Sequence, residues 1–528
     1  MTSSEQQNTH KRRSKSVFPR IRPYITATHR WIGVVVCLYF VIWFISGLVL
    51  MYVRYPALSV DDKQATLTPI NWSRVNVAPG EVLRSARQSS YPQEFWLEMS
   101  AAEPVYRLID WEDNRFAYSA VTGDRIRGVS AEKALSIIQA NLETPGATVD
   151  YANLDSDQWT VTGYWDTKRP FHRIALHDSE GSEYYVSVDT GEIVLDTGRW
   201  EKFWNYLGAI PHWIYFAFIR ADTGQWFWVV IVLSGVGIVS ATSGLILGIS
   251  RLRVRNRYGG TRVSPFIGWQ KWHHIAGIVG GFFLFLWIVT GLLSMYPGGF
   301  LEQRGITRAE YENYAGNTTP EFPVARFDEF HKRSVDARTM HFVWIAGNTW
   351  AVTNQGTHRA KLFDPRTGAL GSASDEQLFA AGRRIMPSSE LIVSKRLPEG
   401  DEYWHTGFTV QKIPVLRVGF DDSTNTWFHI DPDSGQLIDI LDDTGRLDRW
   451  ANVGVHNVDL HFLFKHRPLW DIVVWILMLA GLFISTSAVY LGVKRILFTS
   501  QKAKKHRQIE SRIRAGESPG SLPGHTGR

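Results

Sequence analysis

Four histidines in this chain stand in two pairs that share one spacing. His29 and His273 are 244 residues apart, and so are His212 and His456. A neutral imidazole gives one ring nitrogen to a metal while the other donates a hydrogen bond. A repeated histidine pair is therefore first of all a ligand pair. Zinc normally takes three or four protein ligands, and no carboxylate or cysteine accompanies these histidines at ligand spacing. Two imidazoles on facing helices suit the axial positions of a b-type haem, whose porphyrin supplies the other four nitrogens. Two haem b groups are expected, one held by His29 and His273, the other by His212 and His456. Each site has an alternative: His274 follows His273 directly, and His461 competes with His456. Arg22, Arg30, Arg262 and Lys271 are the cations available to the propionates of the first haem. The lone cysteine, Cys37, excludes intramolecular disulfides, cysteine-ligated iron–sulfur clusters and c-type haem attachment.

The elements that must position these histidines repeat with them. Thr28–Tyr52 returns without a gap as Trp272–Tyr296, with Gly33 falling on Gly277, Trp43 on Trp287 and Gly47 on Gly291. Four spans are apolar and long enough to cross a bilayer, for which about 20 residues suffice. They are Arg30–Val53, Gln225–Ile249, His274–Tyr296 and Leu469–Val493. The second and fourth also align at 244, Ser243 on Ser487 and Gly248 on Gly492. These small residues, with Gly277-x-x-x-Gly281, read as close helix packing. Asp471, at an edge, is the only acid in the spans, which argues against a proton or cation relay. The first span is too long for a cleavable signal peptide and lacks the small-residue cleavage site.

Basic residues set the orientation. Residues 11–28, the connector 251–271 and the segment after 493 are rich in Lys and Arg, the first two without an acid. By the positive-inside rule these segments are cytoplasmic. The expectation is a multi-pass protein of a bacterial inner membrane with both termini inside and two long periplasmic segments. The net charge of +6 then reflects topology, and nothing points to nucleic acid. The domain reading is a basic tail over 1–28, a first membrane helix over 29–55 and a first periplasmic segment over 56–200. An interfacial helix and second membrane helix (201–250) and a cytoplasmic loop (251–271) follow. Then come a third helix over 272–297, a second segment over 298–445, an interfacial segment and fourth helix over 446–495, and a polar tail.

The two long segments read as strands and turns with helical pieces, AEKALSIIQANL being one amphipathic helix. A hairpin pattern ending in a glycine turn occurs twice in each. Gly123, Gly191, Gly368 and Gly435 are expected at positive φ, which glycine adopts without a steric penalty. The fold class expected is an α-helical integral membrane protein in two pseudo-symmetric halves, with two α+β extramembrane domains. The aromatic run containing Trp204, Tyr206, Trp213 and Tyr215 suggests a substrate cleft between those domains and the membrane.

The chain resembles the PepSY-associated transmembrane family, which includes inner-membrane ferric-siderophore reductases. The marks are His29-Arg30-Trp31-x-Gly33, His212-Trp213-Ile214-Tyr215, and Val455-His456-Asn457-Val458-Asp459-Leu460 followed by Arg467-Pro468-Leu469-Trp470-Asp471. Asp189-Thr190-Gly191 and Asp433-Ser434-Gly435 look like PepSY turns. The resemblance covers about residues 25–495. It implies a haem-bearing membrane reductase acting on iron complexes outside the inner membrane. Its partners would be the lipid bilayer, a ferric siderophore or other iron chelate, and an electron donor that is either quinol or a separate protein. The competing reading is a non-enzymatic PepSY regulator or scaffold of the envelope.

Overall fold

A computed structural model describes residues 18–88, 90–253, 263–316, 336–354, 360–407 and 411–514, together with Phe327, Phe330 and Lys332. Arg262 and the last residues of the polar tail, 515–528, lie outside the described residues. Among the described residues, four helices are long and apolar enough to cross a membrane: Arg20–Leu50, Thr223–Ser250, Gly268–Leu293 and Leu469–Gln501. The protein is a membrane protein with a four-helix core. The first helix starts at Phe18, inside the stretch read as a tail, and carries Pro23 inside it, in its second turn. The fourth runs on to Arg514, because the residues after the apolar span are mostly Lys, Arg, Gln and Ala, which are good helix formers.

The long segments build three antiparallel sheets. The first segment supplies β1 (Glu94–Ser100), β2 (Glu103–Ile109), β3 (Arg115–Ser119) and β4 (Arg125–Ile126), then β5 (Thr148–Leu154), β6 (Phe171–Ala175), β7 (Glu183–Ser187) and β8 (Ile193–Thr197). The second supplies β9 (Thr339–Ile345), β10 (Asn348–Asn354) and β11 (Lys361–Phe363), then β12 (Glu390–Leu397), β13 (Val415–Asp421), β14 (Trp427–Ile430) and β15 (Leu437–Leu441). β5–β8 and β12–β15 form separate four-stranded sheets. The earlier strands of both segments join into one seven-stranded sheet, in the order β11-β10-β9-β1-β2-β3-β4. The helix Ala131–Leu142 covers one four-stranded sheet and Asp375–Gly382 the other. All four turn glycines have positive φ: Gly123 at 82°, Gly191 at 68°, Gly368 at 62° and Gly435 at 68°.

The joining edge records the repeat. β1 pairs with β9 through Trp96↔His341 and Leu97↔Met340. The 244 shift exchanges these two pairs with each other, as a two-fold axis between them requires. Pairing also removes two sheet edges that would otherwise be open templates for aggregation.

The described residues divide into two compact units. One holds those up to Phe44, Leu233–Val289 and those from Ile476 on; the other holds Ile45–Val232 and Thr290–Trp475. Each contains one histidine pair.

Candidate functional site

In the first unit the rings of His29 and His273 face each other with centroids 6.5 Å apart. His29 Nδ1 donates to the Ser240 carbonyl at 3.1 Å. His273 Nδ1 lies 2.8 Å from Ser487 Oγ, and that hydroxyl gives its own proton to the Ile484 carbonyl at 2.7 Å. The serine can then only accept, so Nδ1 of His273 carries the hydrogen. Both imidazoles are fixed as the tautomer whose lone pair is at Nε2, the form that binds a metal. Ser243 and Ser487, read from sequence as packing residues, therefore serve the histidines: Ser243 Oγ donates to the same Ser240 carbonyl at 2.9 Å.

The ring separation can be compared with ligation. A metal–imidazole bond of about 2.0–2.1 Å plus about 1.1 Å from nitrogen to ring centre puts two coaxial rings about 6.3 Å apart. The pair thus stands at the distance that one shared metal ion requires. Around it is a cavity of about 850 Å³. Gly33 and Gly277, related by the 244 shift, both line it, and a Cβ at either would meet only open space. Their lack of side chain keeps the cavity wide, a different role from the helix packing expected of Gly277. On the far side a Cβ at Gly244 would come within 2.7 Å of His29 Cε1, so glycine is needed for that ring to fit.

In the second unit His212 and His456 face each other at 6.4 Å. His212 Nδ1 is bonded to Ser46 Oγ at 3.2 Å and His456 Nδ1 to Thr290 Oγ1 at 3.0 Å. Ser46 and Thr290 are also 244 apart. His212 sits on the short helix Ala209–Trp213, which follows a break at Gly208. His456 ends a π-helix, Arg449–His456, a rare form that gathers at functional sites. A Cβ at Gly291 would press on His456 Cε1 at 3.3 Å. Among the described residues no three His, Cys, Asp or Glu side chains gather as a metal site. A metal ion shared by either histidine pair would need further ligands from elsewhere, as a porphyrin would provide.

The two alternatives are placed differently. His274 is buried and uses both ring nitrogens, on Ser264 Oγ and on the Gly248 carbonyl, each at 2.9 Å. It braces the third helix and has no nitrogen left for a metal. His461 faces His405 at 4.9 Å, and His405 is bonded to Asp459 at 2.6 Å. Of the basic residues, Arg30 lines the first cavity, whereas Lys271 is exposed with its ammonium 5.4 Å from the Trp272 ring centre. Arg22 is not in the lining. The lining instead includes Arg251, Lys494 and Arg495. Arg251 and Arg495, counted in the sequence only among the basic residues that set the orientation, are again 244 apart.

The long segments hold a cavity of about 810 Å³ at the seam of the central sheet. Trp96 stacks on His341 at 5.7 Å there, and Lys63 lies 5.0 Å from the Trp96 ring centre. Lys63 bonds Glu192 at 2.5 Å, with Arg115 at 3.6 Å. Burial works to raise the Glu192 carboxyl, but the charges of Lys63, Arg107 and Arg115 outweigh it and hold it well below the usual carboxylate range. Burial, helped by the Lys63 charge, pushes His341 down to about 4, so it is neutral near pH 7. The expected aromatic cleft is not this one. Trp213 packs on Tyr55 and Tyr215, Tyr206 on Trp159, and none of Trp204, Tyr206, Trp213 and Tyr215 lines the cavity.

Comparison with known proteins agrees with this architecture. No curated protein matches the chain. A family model, the PepSY-associated TM region, matches residues 26–355, well over half the chain. The match takes in His29, His212 and His273, and His456 lies beyond it. The chain belongs to the PepSY-associated TM region family.

Proposed function

We propose that this protein is a haem-b membrane oxidoreductase of the ferric-siderophore reductase kind. It lies in a bacterial inner membrane with both termini cytoplasmic. It takes electrons from a cytoplasmic or quinol donor and gives them to a periplasmic acceptor, an Fe(III)-siderophore. Reduction lowers the charge on iron and so its attraction to the hard oxygen donors of the chelator, which releases Fe(II).

One observation carries the reading: two imidazole pairs, at 6.5 and 6.4 Å, each joined by the same 244-residue shift. Haem iron bound between such rings supplies one-electron transfer. The chain's own residues do the rest. Ser240 and Ser487 fix the tautomer at the first pair, and Ser46 and Thr290 hold the rings of the second. Arg30, Arg251, Lys494 and Arg495 supply positive charge at one cavity for the propionates. Gly33, Gly277 and Gly244 leave the room.

The test is an absorption spectrum of the purified protein with a haem-to-protein ratio. Reduced b-type bands and two haems per chain are expected, with oxidation of the reduced protein by an Fe(III) chelate. A colourless protein overturns the reading and leaves a PepSY regulator or scaffold.

A further inference from the structure

The cavity at the seam of the central sheet has the marks of a ligand site. Two polar side chains on its wall each have one atom without a hydrogen-bond partner. Gln64 is 6 % exposed, and its Oε1 has no hydrogen-bond partner although its Nε2 donates to Thr339 at 2.9 Å. Arg115 Nε is likewise buried without a partner. A buried polar atom left unbonded is costly and calls for a partner that the protein itself does not supply. Trp96 and His341 offer a stacked aromatic wall, and Trp111 and Tyr311 extend it. A volume of about 810 Å³ is within the range of about 300–1,000 Å³ that holds small organic ligands.

The charges on the wall say what kind of ligand. Lys63 and Arg115 are matched by Glu192, and Lys412 by Asp431 at 2.5 Å. Glu94 also lines the cavity, and its carboxylate makes no hydrogen bond or ion pair among the described residues. Three lining cations, Lys63, Arg115 and Lys412, thus stand against three lining carboxylates, Glu94, Glu192 and Asp431. A polyanion entering here would lose its hydration beside Glu94 and Glu192 without a surplus of positive charge to replace it. An uncharged ligand rich in oxygen atoms meets donors and acceptors with no such penalty.

The geometry points to this cavity as the ligand site of the extramembrane domains, selective for a compact, oxygen-rich ligand of near-zero net charge. It rests on the reductase reading only in taking that ligand to be the acceptor chelate; the charge preference is independent of it. The symmetry supports a dedicated site, because the Lys63–Glu192 ion pair on the wall is not repeated in the other half. The 244-related positions of Lys63 and Glu192 are Thr307 and Gln436.

The experiment is a binding titration on the full chain in detergent, read by tryptophan fluorescence. Gallium(III) complexes, which are not reduced under these conditions, separate binding from electron transfer. One probe is the uncharged gallium complex of a trihydroxamate, the other the trianionic gallium tris-catecholate. The uncharged complex is expected to bind at least tenfold tighter. Gly305 lies at the cavity, and a Cβ there meets nothing within 4 Å. Gly305→Trp should therefore plug the cavity, weakening binding at least tenfold with the thermal midpoint unchanged. Should that variant not fold, Gln93→Trp, at an exposed lining position, does the same. Glu94→Lys should narrow the gap between the two probes at least threefold. Equal affinity for the two complexes, or undiminished binding by the plugged variant, overturns the inference. Haem bands are measured on the same samples. A preparation without haem that shows the expected selectivity supports the site and overturns the reductase reading.

Discussion

The two halves of this chain have diverged unequally. Around the histidines the shift of 244 preserves nearly everything: the ring spacing, the hydroxyls Ser46 and Thr290, the glycines Gly33 and Gly277, the arginines Arg251 and Arg495. In the long segments the same shift meets opposite chemistry. Glu98 and Arg107 form a buried ion pair at 2.8 Å, and their counterparts are Phe342 and Ala351. A metal shared by two rings, as proposed, would constrain both halves at once, so that neither could drift alone. A ligand bound beside the axis needs one wall unlike the other. Symmetry retained and symmetry lost thus mark different kinds of site.

The largest test breaks the retained symmetry. His29→Ala or His273→Ala is expected to lose one haem and keep the other, and His212→Ala or His456→Ala the reverse. Haem-to-protein ratio and redox titration of each single variant check this. Four variants that all keep two haems would remove the assignment, with His461 the next candidate, since His274 has both nitrogens engaged.

The second test repairs the lost symmetry. Arg107 also donates to the carbonyls of Thr190 and Gly191, and Trp96 Nε1 donates to Glu98 at 2.8 Å. Arg107→Ala alone leaves Glu98 charged and buried, at a cost of about 3–5 kcal/mol. Glu98→Phe with Arg107→Ala installs the other half's solution and should recover much of the loss. Thermal midpoints of the single and double variants measure the difference. A double variant no better than the single would mean that the pair also holds the turn at Gly191.

How much of this was legible in the sequence follows from the same contrast. The membrane helices and both histidine pairs were visible because bilayer spans are long apolar runs and the repeat has no gap through them. The turn glycines were visible because positive φ is nearly theirs alone. The joining of two hairpin sheets into one was not, since the paired residues of β1 and β9 lie 241 to 245 positions apart in the chain (339 minus 98, 341 minus 96) and their pairing depends on where the two-fold axis falls. The seam cavity was hidden for the same reason: Lys63, Arg115, His341 and Lys412 share no local motif. Ser243 and Ser487 were seen but assigned to packing, because a hydroxyl in an apolar helix looks alike whether it serves the backbone or an imidazole.

A third test compares equivalent turns. Gly191 and Gly435 have the same φ of 68°. Gly191→Ala carries backbone strain of about 1–2 kcal/mol and a contact of 3.2 Å with Val129. Gly435→Ala carries the same strain, and its Cβ would stand 2.2 Å from Ile345 Cδ1, which must move. The drop in thermal midpoint should be larger at 435. Equal drops would show that Ile345 rotates away freely.

The smallest effect expected is a pH dependence confined to one half. His341 lies across the seam from Trp96, and the 244 shift relates it to Leu97. Burial and, secondarily, the charge of Lys63 push its pKa from 6.5 to about 4, with Glu98 opposing. Between those values the unfolded chain binds a proton that the folded site refuses. Stability is therefore present in full above about pH 6.5 and is lost as pH falls through that window towards 4. Because the cavity is open to water, the loss attributable to this one group should be about 1 kcal/mol. His341→Leu replaces it with the residue of the other half and should flatten that part of the profile, leaving the carboxylate-driven loss at lower pH. Thermal midpoints of both proteins from pH 7.5 to 4, taken as a difference, isolate the contribution. A difference that stays constant across the window would mean that His341 titrates alike in the folded and unfolded chain, so that the seam does not shield it.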